Sequence, residues 1–187
     1  MKHLLRTLLL LVLSAFFRLA FAQQNMTLLS KFTYTQNLAS VWGYAANGKE
    51  YALVGVFSGL SIVDVTNPTA PVQVQFVPTW NSSWHEIKTW NHYAYVTNES
   101  GGGLLIVDLS GLPNSAPYVN WTGGSLNLQT GHSLFIDEFG ICYINGPNIA
   151  NGGTVFLDLN PDPMNPTYLG AYTENYVHDC YVRNNIM

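Results

Sequence analysis

Three of the five histidines recur at a nearly constant interval, which makes them candidate ligands of a transition metal. His85, His132 and His178 lie 47 and 46 residues apart, and Glu86 and Asp179 directly follow two of them. Neutral imidazoles are common ligands of such metals, and a carboxylate on the far ring nitrogen orients the ligand. If the three rings converge, the sequence predicts a metal centre for hydrolysis or oxidation, with Glu86 and Asp179 supporting the ligands.

The same recurrence fits a structural role, which the sequence favours. Asp64, Asp108 and Asp158 recur in phase with the histidines. A histidine that hydrogen-bonds an aspartate, a serine or the backbone stabilises its repeat without any metal. The aspartates are natural partners for this or caps of the turns that follow them. No residue is assigned a catalytic role.

Two further groups of residues suggest binding chemistry but are better explained by structure. Gly101–Gly103 predicts a turn, because neither a helix nor a Gly-Lys-Ser/Thr sequence follows it as in a phosphate-binding loop. Trp80, Trp84 and Trp90 are expected to pack between neighbouring repeats. Trp80 lies in a predicted loop, so stacking on a sugar remains open for it.

The elements that position these residues form an internal repeat of four short strands. The segments Gly59–Asp64, Gly103–Asp108 and Gly153–Asp158 align, and their aspartates are 44 and 50 residues apart. Turn residues separate the strands of each unit. The predicted strands are Val41–Ala45, Tyr51–Gly55, Gly59–Asp64 and Val72–Val77, then His85–Thr89, Tyr93–Thr97, Gly103–Asp108 and Tyr118–Thr122, then His132–Asp137, Ile141–Asn145, Gly153–Asp158 and Thr167–Tyr172.

A four-stranded unit of about 40–50 residues has the size of a β-propeller blade. The runs Leu-Ser-Ile-Val and Leu-Leu-Ile-Val are apolar on both faces, as in a sheet between two neighbours. No segment shows a sustained helical period. The sequence therefore predicts an all-β propeller with three complete blades, which places the three recurring histidines at equivalent points near the mouth of its channel.

Single strands are predicted on either side of the three blades. Leu28–Tyr34 resembles the outermost strand of a blade, and Val177–Val182 resembles the innermost strand of a fourth. Typical propellers have 4–8 blades, so three do not close a ring. We therefore expect residues 23–187 to be an incomplete propeller domain, truncated at its C-terminus.

The first 22 residues have the layout of a secretory signal peptide. Lys2 and Arg6 precede an apolar run over residues 8–17, and Ala20-Phe21-Ala22 provides a cleavage site. The run is too short for a membrane anchor, which needs about 20 apolar residues. We expect a secreted or cell-surface protein, with no transmembrane span in the sequence given.

Two other features of the sequence would have a chemical role in a secreted protein. Cys142 and Cys180 would meet an oxidising compartment, and their spacing leaves open whether they form a disulfide. Asn-x-Ser/Thr sites are candidates for glycosylation on exposed turns. These sites are Asn25, Asn81, Asn98 and Asn120.

Composition excludes some partners. Of the 187 residues only 10% are charged, 48% are hydrophobic, and the net charge is −4. A nucleic-acid-binding surface needs a basic stripe that neutralises phosphates. We therefore expect no nucleic-acid partner.

Several motifs resemble those of the LVIVD-repeat proteins and, more narrowly, the secreted choice-of-anchor B family. The resemblance covers nearly all of residues 37–182. It implies a secreted or surface-held β-propeller with no established biochemical activity, so no catalytic residue is carried over. The motifs are Val-Trp-Gly-Tyr at 41–44, Gly-Lys-Glu-Tyr-Ala-Leu-Val-Gly at 48–55, Leu-Ser-Ile-Val-Asp-Val-Thr-Asn-Pro at 60–68, Trp-His-Glu-Ile at 84–87, Gly-His at 131–132 and Val-His-Asp at 177–179.

Two functions remain open from the sequence. The favoured one is a non-enzymatic module that binds an extracellular protein or a glycan and requires no cofactor. The alternative is a metal-dependent enzyme that uses His85, His132 and His178 at the mouth of the channel.

Overall fold

A computed structural model describes residues 26–187 of the chain. The predicted signal peptide, residues 1–22, and the candidate glycosylation site Asn25 lie outside the described residues. The chain divides into two compact units, residues 1–31 and 32–187. Residues 26–31 contain no regular secondary structure, and all strands belong to the second unit.

Twelve strands of the second unit form three four-stranded antiparallel sheets, each in chain order. This confirms the predicted all-β propeller fold with three complete blades. Two short 3-10 helices, Gly124–Leu126 and Ala150–Gly152, are the helices of residues 26–187. The strands are β1 (Leu38–Ala46), β2 (Lys49–Val56), β3 (Gly59–Asp64) and β4 (Val72–Pro78), then β5 (Ile87–Trp90), β6 (Tyr93–Val96), β7 (Leu104–Asp108) and β8 (Tyr118–Trp121), then β9 (Ser133–Ile136), β10 (Ile141–Asn145), β11 (Thr154–Asp158) and β12 (Thr167–Tyr172).

A glycine stands at the start of the third strand of every sheet because the fourth strand passes very close to it. A Cβ atom built on each glycine would collide with a backbone carbonyl oxygen of that strand, so a larger residue does not fit there. The distances from the built Cβ to the oxygen are 2.2 Å for Gly59 and Val77, 2.3 Å for Gly103 and Trp121, and 1.9 Å for Gly153 and Tyr172.

The hydrophobic core lies in the two seams between neighbouring sheets. Successive residues of a strand point to opposite faces, so the middle sheet contributes side chains to both seams. In β6, for example, Ala94 and Val96 face the first sheet and Tyr95 faces the third. The first seam contains Tyr51, Leu53, Leu60, Ile62, Val77, Ile87, Ala94, Val96, Leu105, Val107 and Leu109, and the second contains Tyr95, Leu104, Ile106, Trp121, Leu128, Leu134, Cys142, Ile144, Val155, Leu157 and Leu159.

The first strands of the three sheets lie side by side. Strand β1 contacts β5, and β5 contacts β9. This is the arrangement of innermost strands around the axis of a propeller. Within residues 26–187, no helix has the length and apolar character needed to cross a membrane.

The two predicted flanking strands, Leu28–Tyr34 and Val177–Val182, are not strands in the structure. A strand needs a continuous backbone ladder with a neighbour. Residues 177–182 instead pack on the third sheet through isolated contacts. The Val177 N–H donates to the Gly152 carbonyl at 3.0 Å, and the Tyr181 ring meets the edge of Phe135 at 5.2 Å between centroids.

Candidate functional site

The structure brings two of the three recurring histidines into contact. His132 directly precedes β9, and His178 lies in the segment that packs on the third sheet. Their Nε2 atoms are 2.8 Å apart, and their ring centroids are 4.1 Å apart. The contact forms at the end of the sheets where each first strand begins.

Glu99 extends this pair into a chain of three polar groups. Its Oε1 atom lies 2.5 Å from Nδ1 of His132. The His132 side chain is 13% exposed and that of Glu99 is 44% exposed, so water reaches the carboxylate more easily than the ring. An ionised carboxylate only accepts hydrogen bonds, so Nδ1 of His132 carries the proton that it donates to Glu99. In a neutral ring, Nε2 of His132 then offers a lone pair towards His178.

Trp84 fixes the orientation of His132. The indole and imidazole rings stack at an angle of 4° with 5.1 Å between centroids. The indole Nε1 also donates to the backbone oxygen of His132 at 2.8 Å. Because Trp84 precedes the second sheet and His132 the third, the pair also joins the two blades. This confirms the predicted packing between repeats for Trp84.

A buried polar network holds the backbone beside His178. The Ser133 hydroxyl donates to the His178 carbonyl at 2.8 Å. Asn145 donates to the Ser133 hydroxyl at 3.1 Å, and its own side-chain oxygen accepts from Thr154 at 2.9 Å. Buried groups that are satisfied in this way make a rigid support. The chain of hydrogen bonds therefore fixes the position of His178 relative to the third sheet.

His85 does not join the other two histidines. Its side chain is buried, and Nδ1 donates to the Thr97 carbonyl at 3.0 Å. Burial lowers the pKa of His85, which favours its neutral form. Its contact with the backbone is the structural role that the sequence favoured. Within residues 26–187, no group of three His, Cys, Asp or Glu side chains is arranged to hold a metal ion.

The two acidic residues expected to support the histidines have other partners. Glu86 forms an ion pair with Lys88. Asp179 accepts a hydrogen bond from the backbone N–H of Cys180 at 2.8 Å. The carboxylate that orients His132 is instead Glu99, which sequence reasoning missed. Its loop, between β6 and β7, has no signal for this role, because the contact crosses from one blade to the next.

The recurring aspartates cap turns, which confirms one of their two predicted roles. In each sheet the aspartate ends the third strand and accepts a hydrogen bond from the backbone N–H two residues later. The distances are 3.0 Å for Asp64 and Thr66, 2.8 Å for Asp108 and Ser110, and 2.9 Å for Asp158 and Asn160. The Lys49 ammonium and Thr66 also lower the pKa of Asp64 to about 2.

Trp80 differs from the other two tryptophans of its group. Trp90 packs over Gly140 of the third sheet, as predicted for packing between repeats. Trp80 lies against the predicted turn at Gly101 and Gly102 and leaves 60% of its surface exposed. Asn98 donates to the Trp80 carbonyl at 2.6 Å and so holds the backbone at this point.

The candidate glycosylation sites differ in exposure. Asn81 and Asn120 are exposed. The expectation of an exposed turn is wrong for Asn98, which is 1% exposed. Its amide nitrogen donates to Trp80, and its amide oxygen accepts from the Ser100 N–H, so both ends of the amide are used in packing.

The two cysteines are free thiols on opposite faces of the third sheet. Cys142 belongs to the seam with the second sheet. Cys180 lies on the other face, where its Sγ accepts from Asn145 at 3.3 Å. Burial raises the pKa of both thiols. The disulfide that the sequence left open is not formed in the structure.

The connections at this end of the sheets are acidic and rich in amides. We call them the entry end; they comprise residues 57–58, 79–86, 97–103, 122–132, 146–153 and 173–179. They contain Glu86, Glu99, Glu174 and Asp179 and no lysine or arginine. Glu86 is paired with Lys88 of β5, and the other three carboxylates disfavour anionic ligands.

Comparison with known protein families identifies the LVIVD repeat at residues 41–79 and 85–117. The first match covers nearly all of the first blade, and the second covers most of the second blade. The chain therefore contains LVIVD repeats, as the sequence resemblance implied. Comparisons with curated proteins and with solved structures gave no match.

Proposed function

We propose that this protein is a non-enzymatic β-propeller module that binds a neutral glycan at its entry end. The observation that supports this most directly is the position of Trp80. The indole is supported by the backbone of one loop and is largely open to solvent. A large exposed aromatic ring held in this way is suited to binding rather than to core packing.

The support of Trp80 depends on two glycines. A Cβ atom built on Gly102 would lie 2.4 Å from Cδ1 of the indole, and one on Gly101 would lie 3.1 Å from Cε3. The ring therefore lies closer to the loop backbone than it could if residues 101 and 102 carried a Cβ atom. Sugar rings present a face of C–H groups that packs on such an indole surface. Little ordering entropy remains to be lost when the ligand binds, because the indole is already held.

The surroundings favour an uncharged ligand. The entry end offers hydrogen-bonding groups, such as the exposed hydroxyl of Ser83, and its loops contain no lysine or arginine that would pair with a sulfate, phosphate or carboxylate. Carboxylates such as Glu174 accept hydrogen bonds from sugar hydroxyls. A neutral oligosaccharide fits this chemistry better than a sulfated one.

The sequence supports an extracellular location for this module. Residues 1–22 have the pattern of a signal peptide, and Asn81 and Asn120 are exposed sites of the type that is glycosylated. The resemblance to the choice-of-anchor B family points in the same direction. We therefore propose that the protein acts outside the cell or at its surface, where glycans are present.

Screening the full chain against an array of neutral and sulfated oligosaccharides tests the proposal. We expect binding to neutral members, and we expect Trp80→Ala to weaken it by about tenfold or more, which is about 1.4 kcal/mol. Tyr118→Ala is the matched control, because Tyr118 is an exposed aromatic residue on an outer strand. Near-ultraviolet circular dichroism checks that both variants are folded.

Two results would contradict the proposal. One is an array without any bound neutral glycan, which would direct attention to a protein ligand. The other is a Trp80→Ala variant that binds as tightly as the unaltered chain, because the indole would then lie outside the binding surface.

A further inference from the structure

The contact between His132 and His178 has a geometry close to that of a metal site. We propose that these two histidines bind one divalent transition metal ion, such as Zn²⁺, with Glu99 orienting the first ligand. This site shares no residue with the indole platform of Trp80. The metal site and the glycan site can therefore be tested independently of each other.

The two nitrogen atoms already face each other at nearly the required distance. Zinc–imidazole bonds of about 2.0–2.1 Å in a tetrahedral arrangement place two ligand nitrogens about 3.3 Å apart. The Nε2 atoms are 2.8 Å apart. A separation of about 0.5 Å more would admit the ion. His178 is exposed, so its ring can make this small movement without disturbing the core.

Glu99 prepares His132 as a ligand. The carboxylate accepts the proton of Nδ1, which leaves the Nε2 lone pair directed at His178. A metal-binding histidine commonly donates its other ring N–H to a carboxylate in this way. When the ion binds, it replaces the proton between the two Nε2 atoms. His178 then carries its proton on Nδ1 instead.

The surroundings are compatible with a cation. The loops of the entry end have four acidic residues, of which Glu86 is paired with Lys88 of β5, and no lysine or arginine, so the ion meets no fixed positive charge from these loops. Trp84 and the Ser133 hydroxyl keep the two histidines in place from either side. The remaining coordination positions are left to solvent. A site with two protein ligands will follow the usual order of affinity, in which Cu²⁺ binds more tightly than Zn²⁺.

Isothermal titration of the full chain with ZnCl₂ alone tests the site. We expect one Zn²⁺ per chain, and we expect binding to disappear in His132→Ala and in His178→Ala. Glu99→Gln should weaken binding about 10- to 100-fold, as is typical when a supporting group of a metal ligand is lost. His92→Ala is the matched control, because His92 is an exposed histidine in a turn of the second sheet and should not affect binding.

A second measurement follows the segment that carries His178. Zinc should slow hydrogen exchange at the Val177 amide, because the ion links residues 177–182 to the third sheet. His178→Ala should not show this effect. Since His178 is exposed, the variant should melt at the same temperature as the unaltered chain when zinc is absent.

Three results would overturn the assignment. They are no zinc binding by the unaltered chain, zinc binding that survives His178→Ala, and zinc binding that His92→Ala removes. Equal affinities of Glu99→Gln and the unaltered chain would overturn the role given to Glu99.

Discussion

Replacing Gly153 by alanine should strongly destabilise the third blade. A Cβ atom at this position would lie 1.9 Å from the carbonyl oxygen of Tyr172, whereas Cβ atoms in proteins stay about 3.0 Å or more from other atoms. The φ angle of Gly153 is −74°, so the substitution does not force alanine into the left-handed region. The cost therefore comes from the contact between β12 and the start of β11.

The size of the effect follows from the shift that the new methyl group requires. Strand β12 must move by about 1 Å, which disturbs the neighbouring pair of Thr154 and Tyr172. Weakening two backbone hydrogen bonds costs about 1–3 kcal/mol, and overpacking adds about 1–3 kcal/mol. We expect the free energy of unfolding to fall by about 2–6 kcal/mol, a large part of the about 5–15 kcal/mol typical of a domain.

Urea denaturation followed by tryptophan fluorescence measures this change. With a slope of about 2 kcal/mol per molar urea, the midpoint should fall by about 1–3 M. Gly43→Ala is the matched control, because Gly43 lies in β1 and has no atom within 4 Å of a built Cβ. That variant should be as stable as the unaltered chain or more stable by about 0.5–1 kcal/mol.

A Gly153→Ala variant within about 0.5 kcal/mol of the unaltered chain would refute this reasoning. The repeated glycine would then reflect something other than the close passage of the fourth strand. Alanine at Gly59 or Gly103 would add backbone strain to the collision, because their φ angles are +155° and +76°, so Gly153 is the position for this test.

Three further predictions follow from individual side chains. The Lys49 ammonium lowers the pKa of Asp64 from its ordinary 3.8 to about 2, so the stability contributed by the carboxylate is present above pH 4 and lost as the pH falls towards 2. Asp64→Asn should therefore reduce the fall in melting temperature over this range. Leu157→Ala, at a fully buried position of the second seam, should lower the free energy of unfolding by about 2–5 kcal/mol, measured in urea. Mass spectrometry of the protein secreted from glycosylating cells should find glycan on Asn81 and none on Asn98, whose amide is buried.

Each of these predictions has a contrary outcome. An Asp64→Asn variant with an unchanged pH profile would show that the ion pair does not contribute to folding. Leu169→Ala is the control for the core substitution, because Leu169 is exposed, and an equal loss in both variants would contradict the account of the seam. Glycan on Asn98 of the folded protein would be incompatible with its hydrogen bond to Trp80.

The blades could be predicted from the sequence because their signals are local. Runs such as Gly59–Asp64 combine an apolar strand with a glycine and an aspartate at its ends, and the structure has a strand with the same bounds. Their repetition reveals the architecture. The flanking segments, such as Val177–Val182, carry similar residues, but a strand also needs a ladder partner, which local composition does not specify.

The site was less predictable because its contacts cross between blades. The spacing of His132 and His178 predicts that their rings approach each other, and the structure brings these two into contact. It does not show that His85 turns instead to a backbone carbonyl, or that Glu99 reaches His132 from the preceding blade. Such contacts depend on how far each loop extends over its neighbour, and the loop lengths differ between repeats.

The separation of the two hydrophobic seams has a consequence for how such a molecule can change over evolutionary time. The seams have no side chain in common, and the middle sheet serves them through alternate residues of the same strands. Stability is then approximately a sum of nearest-neighbour terms, as in other repeat proteins. A gene segment that encodes one unit can be duplicated or exchanged, and only the neighbouring units must then adapt to the inserted unit.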